Sequence, residues 1–281
     1  MNVSILTDSA AALPSDLAER HAIGVVPMWL NIDGEARHED EVPLAELLGR
    51  ADVKTSGPTP GEFEAAARAH LGDGGELICT VASSMSATYD AAVLGTRDLG
   101  DRVRVLDTGT AAGAEALVVL AGAEAAEGGA ALADVAAAAQ RASSEVRLLA
   151  TLPDLEHLVR SGRVPGIAGR AGRLLGIAPL FEFRGGKARP LRPALGVPAA
   201  LDRMVAAVRR DQRPGARLHV AALHADAEDA AHALLDRVTA TLEPATAFVA
   251  SFGSVMIVHT GPGLIGVAWR WAPTADDLNS G

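Results

Sequence analysis

The sequence predicts a two-domain α/β protein: a three-layer, parallel-sheet domain over residues 1–150 and a mixed-sheet α/β domain over 151–281. Three observations predict it. The length of 281 residues suits two ordinary domains, each able to bury a core. Apolar, β-branched runs alternate with Ala-rich segments of helical spacing in the first half, the order that a parallel sheet covered on both faces produces. After Ala150 the texture changes to Gly- and Arg-rich loops and closely spaced strands, as antiparallel pairing requires.

Taken in order, Val3 to Thr7 reads as a strand ending at Asp8-Ser9, Pro14 to His21 as a short helix, and Ile23 to Ile32 as a second strand region. Thr59-Pro60-Gly61-Glu62 reads as a helix start, because a threonine cap, proline at the first position and glutamate three residues on satisfy the free N–H groups there. The helix Pro60 to Leu71 follows, then strand Glu76 to Val81, a serine-rich turn, a helix from about Ser86 to Leu99, strand Val103 to Asp107 and two Ala-rich helices to about Ser144.

In the second half Thr151 to Asp154 starts a short helix. Strands Ile177 to Arg184 and Lys187 to Arg192 are joined by Gly185-Gly186, which suits a tight hairpin. Helix Pro198 to Asp211, strand Arg217 to His224 and helix Ala227 to Thr241 come next. Strands Ala247 to Ser251, Val255 to Thr260 and Ile265 to Trp271 complete the pattern.

Composition narrows the chemistry. The net charge of −10 and pI near 5.3 argue against a nucleic-acid partner, since phosphate neutralisation needs clustered cations. Only the middle of the chain is basic, where residues such as Arg163, Arg184 and Arg189 suit a local anionic ligand, an acidic partner surface or a solvated face. Mean hydropathy is +0.19, yet no apolar run reaches the length of a membrane span, and the first eleven residues lack the pattern of a signal peptide. The expectation is a soluble, cytoplasmic protein with at most transient membrane contact. Its single cysteine, Cys79, reads as a buried core thiol, and neither a metal site nor a cofactor is expected. Aromatic residues make up only 3%, so a cavity here would be lined by aliphatic side chains and would suit an aliphatic ligand.

Gly261-Pro262-Gly263-Leu264-Ile265-Gly266 is a literal G-x-G-x-x-G, but in a dinucleotide fold those glycines open a helix. Here they lead into Val-Ala-Trp-Arg-Trp, a strand, so the glycines read as a turn that fixes the direction of His259. Ser83, Ser84, Ser86 and Thr88 place four hydroxyls between a buried strand and a helix start, where N–H groups already favour an anion; capping by one serine would explain one of them. Lys54-Thr55-Ser56-Gly57-Pro58 repeats that pattern more weakly, and Thr7-Asp8-Ser9 puts a carboxylate at a strand end. Signatures for a nucleotide P-loop, a zinc protease helix and a hydrolase nucleophile elbow are absent from the sequence.

Together, Thr7-Asp8-Ser9, Lys54-Thr55-Ser56-Gly57-Pro58, Ser83-Ser84-Met85-Ser86-Ala87-Thr88-Tyr89, Asp107-Thr108, Ser161-Gly162-Arg163 and His259-Thr260-Gly261-Pro262-Gly263 resemble the DegV family, in its order and through nearly the whole chain. The resemblance implies two α/β domains with a long-chain fatty acid between them, and a separate ATP-binding fatty acid kinase subunit as partner. It implies that Thr55, Ser86 and His259 hold the carboxylate, that Arg163 sits at the mouth where a phosphoryl group arrives, and that Asp8, Ser9, Ser56, Ser83, Ser84, Thr88, Gly261 and Gly263 support them. The chain departs from the family pattern at Ala87 and Ser161, where the family has glycine. The first is expected to tighten the turn after Ser86, the second to alter the motion of the Arg163 loop.

The implied function is a substrate-binding subunit rather than an enzyme, presenting a carboxylate for conversion to acyl phosphate. Two alternatives stand beside it. One is an esterase using Ser86, His259 and Asp8; the other is a lipid carrier or sensor that works without a kinase.

Overall fold

A computed structural model describes residues 2–47, 50, 52–153, 155, 157–158, 161–162 and 176–273. Arg163 and, in the segment expected to start a short helix after Thr151, residues 154, 156, 159 and 160 lie outside the described residues.

In chain order the strands are β1 Ser4–Asp8, β2 Ile23–Val26, β3 Trp29–Ile32, β4 Glu35–His38, β5 Lys54–Ser56, β6 Glu76–Thr80, β7 Val103–Asp107, β8 Arg147–Thr151, β9 Leu180–Arg184, β10 Lys187–Pro190, β11 Arg217–His224, β12 Pro244–Ser251 and β13 Ile265–Ala272. The helices are α1 Ser15–Arg20, α2 Leu44–Leu47, α3 Pro60–His70, α4 Thr88–Thr96, α5 Ala112–Glu127, α6 Leu132–Glu145, α7 Gly196–Arg210, α8 Glu228–Thr239 and α9 Ser254–Thr260.

Strands β2-β1-β6-β7 form the expected parallel sheet. All five residues of β6, Glu76 to Thr80, are buried, as a strand covered on both faces requires. Strands β10-β9-β8-β13-β11-β12 form a mixed sheet in which only β11 and β12 run parallel. β8, which spans residue 150, belongs to this sheet through its pairs with β13 and β9. The hairpin expected at Gly185-Gly186 joins β9 to β10.

Helix α5 lies between the two sheets, and most of its length is buried. Alanine and glycine let it approach both. A Cβ on Gly113 would lie 2.4 Å from Leu223 Cδ2 and 2.8 Å from Ala221 Cβ, so a side chain there would push α5 off β11. The alanine richness of the sequence thus serves close packing of a central helix.

Two expectations are corrected. Ile23 to Ile32 is not one strand region: β2 joins the parallel sheet, while β3 leaves it to centre a small antiparallel sheet, β4-β3-β5, which the sequence did not announce. Val255 to Thr260 is helix α9, not a strand. Its β-branched run resembles a strand, but its first turn is fixed from outside: the Val255 N–H donates to Glu39 Oε2 at 3.0 Å. Among the described residues no helix is long and apolar enough to cross a membrane.

Candidate functional site

The carboxyl ends of β1 and β6, where parallel sheets commonly bind ligands, open onto a cavity of about 320 Å³. Thr55, Ser86 and His259 all line it, although they are far apart in sequence and sit on three different elements. Met28, Met85 and Met256 contribute to the apolar remainder.

Thr55 is the centre of β5 and pairs with Leu30 of β3. Its Oγ1 lies 2.8 Å from His259 Nε2. His259 occupies the last turn of α9, whose first turn is held by Glu39 and by Ser254 Oγ donating to the Val42 carbonyl at 3.1 Å. Glu39 accepts a hydrogen bond from Ser9 Oγ, which in turn accepts from the Met28 N–H at 2.9 Å. A relay of contacts therefore runs from the end of β1 to the helix that carries the histidine. Burial pushes the Glu39 carboxyl above its ordinary range, against the pull of the Ser9 and Val255 donors.

Gly261 and Gly263 have φ of 72° and 86°, a region open to glycine, and they end α9 and turn the chain into β13. The glycine pattern thus follows a helix rather than the strand expected there. The Gly261 N–H closes the last turn of α9, the turn that carries His259, on the Ile257 carbonyl at 2.8 Å.

The four hydroxyls after β6 divide their work. Ser86 Oγ lies 2.7 Å from Thr88 Oγ1, facing the cavity. Ser83 Oγ donates to Asp107, and Ser84 Oγ donates to the Gly186 carbonyl at 2.7 Å. The Gly186 N–H returns to the Gly109 carbonyl at 2.6 Å, so the tip of the β9–β10 hairpin rests on the serine turn. Ala87, where the family pattern has glycine, has φ −77° and ψ 8°, a conformation any residue adopts without strain. Ser161 closes a turn through its N–H to the His157 carbonyl and its Oγ to the Leu158 carbonyl. Ser56 is exposed at the cavity's rim.

Asp8 is fully buried behind the cavity. Its Oδ1 accepts from the Ala10 N–H at 2.9 Å and its Oδ2 from the Val81 N–H at 2.8 Å; Ala10 and Val81 both line the cavity. Burial raises its pKa from 3.8 to about 7, against the two backbone donors. Burial likewise pushes Glu115, whose Oε1 takes Thr7 Oγ1 at 3.4 Å, well above the usual carboxylate range. The arrangement does not favour an esterase, since Asp8 is engaged by backbone amides and Ser86 Oγ by Thr88. Among the described residues no three His, Cys, Asp or Glu side chains gather as metal ligands do.

Sequence reasoning missed Glu39 and Gly57. A Cβ on Gly57 would lie 2.5 Å from Thr88 Oγ1 and 3.4 Å from Ser86 Oγ, so only glycine lets the Thr55 strand close on the serine turn. The available signal for Gly57 was its place after Lys-Thr-Ser; Glu39 carried none, because its partner lies 216 positions away.

A match to the family described as an uncharacterised protein of the DegV family covers residues 2–271. A DegV domain-containing protein of Streptomyces coelicolor is 34% identical over 274 residues, 95% of this chain and 97% of that protein. A fatty acid-binding protein of Thermotoga maritima is 27% identical over 278 residues, 95% of this chain and 96% of that protein. Among solved structures, a DegV family protein from Thermus thermophilus described by its fatty acid binding superposes with a TM-score of 0.88 at 28% identity, covering 96% of this chain and all of that one. A DegV lipid-binding protein from Thermotoga maritima does so with a TM-score of 0.85 at 26% identity, covering 96% of this chain and 99% of its own. On the whole-length match and the relatives at about a third identity, this chain belongs to the DegV family.

Proposed function

We propose that this protein binds a long-chain fatty acid, with the carboxylate held by Thr55, Ser86 and His259 and the tail buried among Met28, Met85 and Met256. One observation carries the reading: three side chains able to donate hydrogen bonds converge, from three separate elements, on a cavity whose other walls are largely apolar. Descriptions of the relatives as fatty acid binding support it.

The division of labour follows from the ligand. At about 0.8 kcal/mol per buried CH₂, a tail of about fifteen methylenes offers on the order of 12 kcal/mol before the costs of ordering and association. Tail burial supplies affinity, while the hydroxyls and imidazole set the direction of the head. Neutral donors stabilise a buried carboxylate without the locking grip of a bidentate arginine, which leaves one oxygen able to act as a nucleophile.

The second part of the reading is transfer. The bound carboxylate attacks the γ-phosphorus of ATP held by a separate kinase subunit; the bond to ADP breaks and an acyl phosphate forms. Arg163, by its likeness to the family's Gly-Gly-Arg segment, neutralises charge on the arriving phosphoryl group.

Native mass spectrometry of the recombinant protein is expected to show a co-purified acid of about 14 to 18 carbons, the length that about fifteen buried methylenes implies. Loss of His259 to alanine should weaken uptake about tenfold, the worth of one hydrogen bond to a charged group. A bare protein mass together with no uptake on titration would overturn the binding assignment. An acyl phosphate assay with kinase and ATP tests transfer separately: Arg163→Ala should slow transfer while leaving binding intact, and equal transfer rates would remove Arg163 from this role.

A further inference from the structure

A second cavity, of about 340 Å³, opens at the opposite end of the mixed sheet, where β8 begins and β13 ends. One wall is tied together by ion pairs and hydrogen bonds centred on Arg147. Arg147 lies over the Trp269 ring at 5.0 Å, donates twice to Glu182 Oε1 at 3.0 and 2.7 Å, and also bonds Asp211. Trp269 Nε1 donates to the same Asp211 at 3.2 Å. With Arg147 satisfied, three other guanidinium groups line the space.

Arg213 is exposed, and its guanidinium makes no hydrogen bond or ion pair among the described residues. Arg184 gives one N–H to the Ser144 carbonyl at 3.1 Å, which leaves the rest of its fork open. Arg270 is only 6% exposed, and its Nε has no hydrogen-bond partner among the described residues, while its Nη2 lies 3.5 Å from Glu124 Oε2. Burial, the largest influence, lowers the Arg270 pKa, and the nearby carboxylates Glu124 and Glu145 offset it only in part. Glu145 is the remaining carboxylate of the lining. Among the lining side chains themselves, Arg147, Arg184, Arg213 and Arg270 stand against Glu145 and Asp211, two more cations than anions at the surface of the cavity, while Glu182 and Glu124 lie outside that lining.

We propose that this cavity is a second ligand site, separate from the fatty acid cavity, that takes a phosphomonoester. Guanidinium forks match the oxygens of a tetrahedral dianion, and a dianion answers an arginine cluster that a single carboxylate would leave underpaired. At about 340 Å³ the space exceeds what a bare phosphate fills, given a water's share of about 30 Å³, which leaves room for an organic substituent. The site also gives a role to Arg184, part of the basic middle of the sequence that the proposed fatty acid function does not use.

Thermal unfolding and ³¹P line broadening, with phenyl phosphate, inorganic phosphate and potassium chloride at matched ionic strength, test the assignment. Phenyl phosphate is expected to raise Tm saturably and with higher apparent affinity than inorganic phosphate, while chloride has no saturable effect. Arg213→Ala and Arg184→Ala, both at exposed positions, should each weaken that affinity about tenfold, the usual worth of a charge-assisted hydrogen bond. Arg210→Ala, outside the cavity, should leave it unchanged. No saturable rise above chloride, or equal affinity in the Arg184→Ala, Arg213→Ala double variant, would overturn the site. Equal affinity for phosphate and its ester would overturn the ester assignment. Fatty acid uptake by these variants, read in parallel, separates failure here from failure of the first site.

Discussion

Asp8→Asn is the sharpest probe of how the cavity wall is built. The carboxylate holds the Ala10 and Val81 amides at 2.9 and 2.8 Å, and both residues face the cavity. Asparagine keeps one acceptor but turns its NH₂ toward the other N–H, which should cost about 1–3 kcal/mol relative to the ionised carboxylate. A second effect depends on pH. The folded-state pKa of Asp8 is raised from 3.8 to about 7 by burial, so folding takes up a proton across that window. The stability this supplies is fully present below about 3.8 and is lost as pH rises through 7. Three units correspond to about 4 kcal/mol in all, of which about 2 to 3 kcal/mol falls between about pH 5 and pH 8. Asparagine does not ionise. The stability difference between wild type and variant should therefore shrink by that amount from pH 5 to pH 8. Urea unfolding followed by circular dichroism at the two pH values measures it. Parallel pH profiles would refute the reasoning, because they would mean that Asp8 titrates alike in the folded and unfolded chains.

Three further outcomes are expected. Gly57→Ala places a methyl 2.5 Å from Thr88 Oγ1 and should cost about 1–3 kcal/mol of stability, with fatty acid affinity falling about tenfold; wild-type affinity by isothermal titration would contradict the close approach assigned to it. His219, its pKa pushed down to about 3 by burial and by Arg270 and Arg217, is neutral in the fold, so its stabilisation is present above about 6.5 and lost as pH falls toward 3. Its ring resonance should stay flat between about pH 5 and 8, and a titration midpoint near 6.5 would count against that burial. Ser84→Ala removes the 2.7 Å bond to the Gly186 carbonyl and should speed hydrogen exchange at the Gly186 amide; unchanged protection would show that the serine does not hold the hairpin tip.

What was legible in the sequence was what is encoded locally. The strand Arg217 to His224 is found with the expected ends, and the Thr59–Glu62 capping box forms with both reciprocal bonds. Each of these needs only neighbours in the chain. Val255 to Thr260 misled because its helical conformation is imposed by Glu39, a partner that no local window contains. The split between β2 and β3 is similar: Val26 and Trp29 lie three positions apart, yet one pairs in the parallel sheet and the other with β4 and β5. At the site, Thr55, Ser86 and His259 were recognisable through resemblance and do meet at one cavity. The supports that bring them there, Glu39 and Gly57, show themselves only in three dimensions, as an acceptor and a clash. Arg163 lies outside the described residues.

The position of β13 bears on biosynthesis. It is the last strand among the described residues, yet it sits between β8 and β11 in the mixed sheet, with all but one of its residues buried. A chain emerging from the ribosome can complete the parallel sheet once residue 107 is free, since β1, β2, β6 and β7 all precede that point. The mixed sheet must wait, with β8 and β11 exposing edges to each other's absent neighbour until residues 265 to 272 arrive. Nascent chains stalled before β13 should therefore carry a protease-resistant N-terminal unit and an unprotected remainder, which is when the protein would need a chaperone's shelter.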